Sequence, residues 1–161
     1  MEEECHIIST LVENRPGVLQ KIAGLFTRRD FNIEGITVGK SETEGLARMV
    51  ITVRADDKIL EQVTKQLNKL VDVIKIKDIT KNAVKRELCL IKVSTNSELE
   101  RAEVLQYSNI FRAQIIDVSE ETLIVEITGD GDKINAFISL LEPFGIRKIT
   151  RTGITAMSRG I

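Results

Sequence analysis

Apolar residues between Cys5 and Thr150 run through one order twice: strand, helix, strand, strand, helix, strand. In the first pass Cys5 to Val12 reads as a strand. Residues 16–30 then carry Val18, Leu19, Ile22, Leu25 and Phe26 at the spacing of one helix face. Two extended segments follow, one with Ile33, Ile36 and Val38, the other with Leu46, Met49, Ile51 and Val53. The polar stretch Ser41-Glu42-Thr43-Glu44-Gly45 joins them as a hairpin loop. Asp56 or Asp57 is placed to cap a helix carrying Ile59, Leu60, Val63, Leu67 and Leu70 on one side, and Val73 to Ile79 closes the pass as a half-buried strand. The second pass is less clean. It has a strand over Leu88–Val93, a helix over 98–111, and strands over Gln114–Val118 and Leu123–Thr128 around a Ser119-Glu120-Glu121-Thr122 turn. A helix over 132–142 and a short strand over Gly145–Thr150 complete it. Phe31 and Phe111 mark equivalent helix-to-strand junctions in the two passes.

Two copies of βαββαβ are the simplest account of this order, and the fold class expected is α+β. Each copy is predicted to be a ferredoxin-like unit, an antiparallel four-stranded sheet with both helices on one face. The predicted domains are residues 1–80 and 81–161, with the boundary between Thr80 and Lys85. One copy buries a modest core and leaves a sheet face and two edges open, which a second copy would cover.

Composition excludes several functions for such sheets. Net charge is −1, so no global basic field draws the chain to nucleic acid. Aromatic residues are 4% of the chain, too few for a base-stacking surface. No apolar run reaches the length of a membrane span, and Met1-Glu2-Glu3-Glu4 is the opposite of a basic secretory leader. A cytoplasmic location is therefore expected, with Cys5 and Cys89 as reduced, buried small residues. His6 is the single histidine, and Cys5 beside it points to the opposite sheet face, so no metal site is expected. His6 is read as a strand-surface or partly buried residue. Gly129-Asp130-Gly131-Asp132 lacks the later ligands of a calcium loop and reads as a turn with Asp132 near a helix cap. No phosphate loop or nucleophile motif is present, and the adjacent carboxylates Asp56-Asp57 and Glu120-Glu121 sit where a cap and a turn explain them. Glu61, Lys65 and Lys69 form a solvated helix face, while Arg147, Lys148, Arg151 and Arg159 form a basic group suited to an acidic partner or to solvent. No catalytic residue is assigned.

Ligand binding remains, and Asn14-Arg15-Pro16-Gly17-Val18-Leu19 is where the sequence suggests it. Pro16 is read at the first helical position, where its missing N–H costs nothing. Gly17 allows close approach to a backbone whose free N–H groups suit a small carboxylate. Phe31-Asn32-Ile33 enters the next strand from the far end of the helix, so the Asn14 and Asn32 amides cannot easily meet in one unit. They can meet across a symmetric dimer. Such a pocket, lined by Val12, Val18 and Ile33, would take a small amino acid by its ammonium, carboxylate and side chain.

Three segments resemble an ACT amino-acid-sensing domain: His6 to Leu19, Asn32-Ile33-Glu34-Gly35-Ile36-Thr37-Val38, and Arg48-Met49. Leu60-Glu61-Gln62-Val63, Gln66 to Val73, Arg86-Glu87-Leu88, Ile110 to Val118 and the closing Ser158-Arg159-Gly160 are similar to the small regulatory subunit of acetohydroxyacid (acetolactate) synthase. The resemblance implies a non-catalytic chain in branched-chain amino acid synthesis, dimeric through its ACT domains. It would activate a catalytic large subunit and confer feedback inhibition by valine. It implies no cofactor in this chain, with thiamine diphosphate, Mg and FAD in the catalytic partner. The family's effector contacts fall on Asn14, Gly17 and Val18 of one protomer and Asn32 and Ile33 of its neighbour. Arg15-Pro16 departs from the smaller or acidic residues of some relatives and leaves the choice of branched-chain amino acid open. The alternative is a stand-alone amino-acid-responsive regulator of transcription or of another enzyme. A small enzyme using the open sheet face is the remaining rival.

Overall fold

The computed structural model describes residues 4–160. The first pass forms β1 (Glu4–Glu13), α1 (Val18–Arg28), β2 (Ile33–Lys40), β3 (Leu46–Ala55), α2 (Asp57–Asn68) and β4 (Val73–Asp78). The strands are antiparallel in the order β2-β3-β1-β4. Register fixes which side chains share a face: Ile8 lies opposite Ile51, Thr10 opposite Met49 and Val12 opposite Ala47. That face receives Val18, Ile22, Leu25 and Phe26 of α1 and Val63 and Leu67 of α2 in one core cluster. Fully burying each such side chain is worth about 1.5–3 kcal/mol, which is what holds the helices to the sheet. β2 and β4 are the edges.

The second pass forms β5 (Ala83–Ser94), α3 (Glu98–Ile110), β6 (Gln114–Val118), β7 (Thr122–Gly129), α4 (Gly131–Leu141) and β8 (Ile146–Arg151), with a single 3-10 turn at Glu142–Phe144. The strand path is β6-β7-β5-β8. Ile91, Val93, Val104, Leu123, Val125, Ile134, Phe137 and Leu141 make its core, with Cys89 among them. Phe111, at the junction equivalent to Phe31, stacks at a tilt on Phe137 with ring centroids 5.2 Å apart. Both passes are thus ferredoxin-like βαββαβ units.

One strand was not foreseen. β9 (Thr155–Ser158) follows β8, and residues 154–160 belong to the first compact unit together with residues 4–84; the second unit is Lys85–Gly153. Ala156 packs with Ile7, Val50 and Ile79 on the sheet face that the helices leave open. The Thr37 hydroxyl donates to the Ile154 carbonyl at 3.4 Å, and the Arg159 N–H donates to the Asn82 carbonyl at 3.0 Å. β5 also begins five residues earlier than its apolar run, at Ala83. Among the described residues no helix is long and apolar enough to cross a membrane.

Candidate functional site

The expected effector turn corrects the sequence reading in one respect: Pro16 is not in the helix. α1 begins at Val18, and Gly17 before it has φ 88° and ψ −13°, left-handed values that no helix continues through. The Val18 N–H reaches back to the Arg15 carbonyl at 3.5 Å. Proline followed by a positive-φ glycine, closed by that contact, is a type II turn. Proline's fixed φ serves both a first helical residue and the second residue of a turn, so the pair Pro16-Gly17 decides only when Gly17 is seen to be left-handed.

The consequence is an open helix end. α2, α3 and α4 are each capped by a side chain: Asp56 accepts from the Ile59 N–H, Ser97 from Glu100 and Asp130 from Lys133. α1 has no side-chain cap. Among the described residues, the N–H groups of Gly17, Leu19 and Gln20 take no backbone acceptor either. Those groups and the positive end of the helix dipole face solvent at exposed positions, an arrangement that favours an anionic group.

Asn14 is exposed and directly precedes this turn, and its backbone N–H donates to the Gly45 carbonyl at 2.9 Å. Asn32 is exposed at the other end of α1, next to Ile33, which pairs with Val53. Gly45 precedes β3 and Val53 lies near its end, so the two asparagines stand at opposite ends of a strand segment of roughly 24 Å. Neither amide makes a side-chain hydrogen bond among the described residues. One chain therefore does not bring Asn14 and Asn32 together. Val12 and Val18 turn their side chains into the core at 0% and 3% exposure, and Ile33 packs against its border. What Val18 offers outward is backbone. The exposed aliphatic side chain at this helix end is Leu19.

Asp72 is the residue the sequence reading missed. It sits between α2 and β4 with its side chain 4% exposed, and its carboxylate accepts from Arg15 Nε at 2.8 Å and from Lys21 Nζ at 2.8 Å. Its backbone carbonyl accepts the Glu13 N–H at 2.9 Å. Glu13 adds a second carboxylate to Arg15 at 3.0 Å. The bonds from Lys21 and then Arg15 hold the Asp72 carboxyl below its ordinary range, and the same contacts keep Arg15 charged. The available signal was a lone acid in the apolar run Leu70-Val71-Asp72-Val73.

Several other polar residues are used within the fold. His6 is buried, not at the strand surface, and its Nε2 lies 3.1 Å from the Ala55 carbonyl. In the second unit Arg151 clasps buried Glu87 through Nε at 2.6 Å and a second nitrogen at 2.9 Å, and it also donates to Asn135. Arg147 donates to Ser94 at 2.6 Å, so two members of the basic group are already partnered. Asp130, rather than Asp132, caps α4, and Lys65 pairs with Glu61 one turn earlier.

Comparison with known proteins decides the family. Residues 86–160 match a family model described as the small subunit of acetolactate synthase, and residues 8–75 match the acetohydroxyacid synthase small subunit-like ACT domain. The chain belongs to the acetolactate synthase small-subunit family. A probable acetolactate synthase small subunit from Methanothermobacter thermautotrophicus is 64% identical over 161 residues, covering 99% of this chain and 96% of that protein. The acetolactate synthase small subunit of Mycobacterium bovis is 50% identical over 161 residues, covering 99% and 95%. The crystal structure of the small subunit from Thermotoga maritima superposes with a TM-score of 0.90 at 50% identity, over 98% of this chain and 99% of that one. The first unit is therefore an ACT-type domain of this family, and the opened α1 turn lies within it.

Proposed function

We propose that this chain is the regulatory subunit of an acetolactate synthase, binding a branched-chain amino acid, valine foremost, between the ACT units of two protomers. The observation that carries the reading is the uncapped N-terminus of α1 beside the unbonded Asn14 amide, at the opposite end of the unit from Asn32. Helix N–H groups take the carboxylate and asparagine amide oxygens take the ammonium. The Asn32–Ile33 segment comes from the second protomer. β2 is an edge strand whose outer backbone groups are free to meet a second copy, which supports that pairing.

The chain performs no chemistry in this reading. It acts on a thiamine-diphosphate-dependent catalytic large subunit in the cytoplasm, raising its activity when the site is empty and lowering it when valine binds. Valine shifts the population between two protomer arrangements only as far as its affinities for them differ, typically about 1–3 kcal/mol in allosteric proteins. The test is acetolactate formation by the catalytic subunit of the same organism, with and without this chain and valine. Asn14→Ala or Asn32→Ala is expected to abolish feedback inhibition and leave activation nearly intact. Absence of activation by the unmodified chain at any ratio refutes the reading, and equal loss of activation and inhibition in the variants refutes the effector role of the asparagines.

A further inference from the structure

Arg15 stands inside the effector turn with its guanidinium about half exposed, a position from which it would ordinarily reach a ligand carboxylate. Instead it is turned back onto Asp72, which also holds Lys21. Lys21 is one turn into α1, and its N–H donates to the Gly17 carbonyl at 3.0 Å. One shielded carboxylate therefore braces the turn before the open helix end and the first turn after it. Two cations, Arg15 and Lys21, meet two carboxylates, Asp72 and Glu13, and their charges cancel. A ligand at Gly17–Gln20 meets dipolar N–H groups and an amide, not a net charge.

We propose that Asp72 is a positioning residue of the effector turn, and that by sequestering Arg15 and Lys21 it selects a zwitterionic amino acid with an uncharged side chain over an acidic one. The inference rests on the reading of the turn as an amino-acid site. Two consequences separate it from a role in stability alone. Removing the carboxylate charge releases two cations at the mouth of the site, whereas removing Arg15 leaves an excess of carboxylate. The two changes therefore move selectivity in opposite directions while both loosen the turn.

The experiment is calorimetric titration of the full chain with L-valine and with L-aspartate, for the unmodified protein, Asp72→Asn, Arg15→Gln and the double variant. Each single variant is expected to weaken valine binding by about ten-fold as the turn loses its preorganisation. The double variant is expected to lose no more than either single change, because the two residues act as one unit. The ratio of aspartate to valine affinity rises in Asp72→Asn, falls in Arg15→Gln and returns toward the original value in the double variant. Asp72 is shielded and its replacement tests folding too. The Arg15→Gln arm stands independently, because that side chain is half exposed and the Asp72 carbonyl bond to Glu13 does not depend on it. Unchanged valine affinity in Arg15→Gln, or a selectivity ratio that moves the same way in both single variants, overturns the proposal. No valine binding by the unmodified chain refutes the underlying reading itself, and this inference falls with it.

Discussion

The first helices of the two units, α1 and α3, occupy the same place in the same fold and begin in opposite ways. α3 starts from Ser97, whose hydroxyl accepts the Glu100 N–H at 3.2 Å, while the Glu100 carboxylate takes the Asn96 N–H at 2.6 Å. Its end is closed by its own side chains. α1 starts from a left-handed glycine with no cap and is braced from outside by Asp72. A stable helix needs the first arrangement, and a helix that keeps its N–H groups for a ligand needs the second. The repeat supplied two scaffolds, and the proposed effector site rests on the difference at one helix end.

The hardest way to break this comparison is to damage the cores. Phe26 and Phe137 are equivalent in kind, each at most 1% exposed, and each truncation to alanine is expected to cost about 3–5 kcal/mol. Urea denaturation measures the loss. Phe26→Ala is expected to remove valine binding as well, whereas Phe137→Ala leaves it at temperatures where the chain stays folded. Equal loss of binding in both variants would show that the site needs the second unit, and the contrast between α1 and α3 would no longer locate it.

A gentler test exchanges the helix starts. Ser97→Ala removes a cap and is expected to cost about 1 kcal/mol. Gly17→Ser inserts a preferred capping residue, yet it is expected to cost about 1–2 kcal/mol, because residue 17 is left-handed and a cap is extended. A Cβ at Gly17 meets nothing within 4 Å, so the penalty is one of backbone conformation rather than collision. A stabilised Gly17→Ser variant would mean that the turn relaxes into an ordinary capped start, and that its open form is not held.

These residues also show what could be read in advance. Among the described residues, the periods of two and 3.6 located all four α-helices and eight of the nine strands, since each depends on residues close in the chain. β9 escaped because four residues with one buried side chain, Ala156, carry no period, and their partners Ile7 and Val50 lie more than a hundred positions earlier. The early start of β5 escaped for a similar reason: Glu87 reads as exposed until Arg151 arrives to pair with it. Around the proposed site, Asn14, Gly17 and Asn32 were legible only as polar or conformationally free residues at element ends. Asp72 was not, because its meaning lies in Arg15, and nothing local links the two. Val18 was legible as a core residue, and its burial leaves only its backbone open to the proposed site.

A smaller effect sharpens the likeness of the two units. Asp30 follows α1 and Arg112 follows α3, and both are non-glycine residues at positive φ, 57° and 54°. Aspartate tolerates this conformation through its short polar side chain, and arginine has no such relief. Arg112→Gly is expected to stabilise the chain by about 0.5–1 kcal/mol, the strain released less the extra entropy of glycine, whereas Asp30→Gly is near neutral. Equal gains in thermal or urea denaturation would remove the distinction.

The smallest effect appears only in acid, and it isolates the carboxylate brace of α1; the first turn of α3 is held instead by Arg101 donating to the Ser119 and Glu120 carbonyls. Because Lys21 and Arg15 hold the Asp72 carboxyl below its unfolded value, the carboxylate contributes stability that is fully present above the ordinary range. That contribution disappears as pH falls through the depressed folded value, below about 4. Urea midpoints between about pH 4 and pH 2 are therefore expected to fall more steeply for the unmodified chain than for Asp72→Asn, with Arg15→Gln between them. Ser97→Ala removes a neutral cap and should leave the acid slope unchanged. Identical slopes for the unmodified chain and Asp72→Asn would mean that the carboxylate does not hold the turn, and the difference between α1 and α3 would then rest on Gly17 alone.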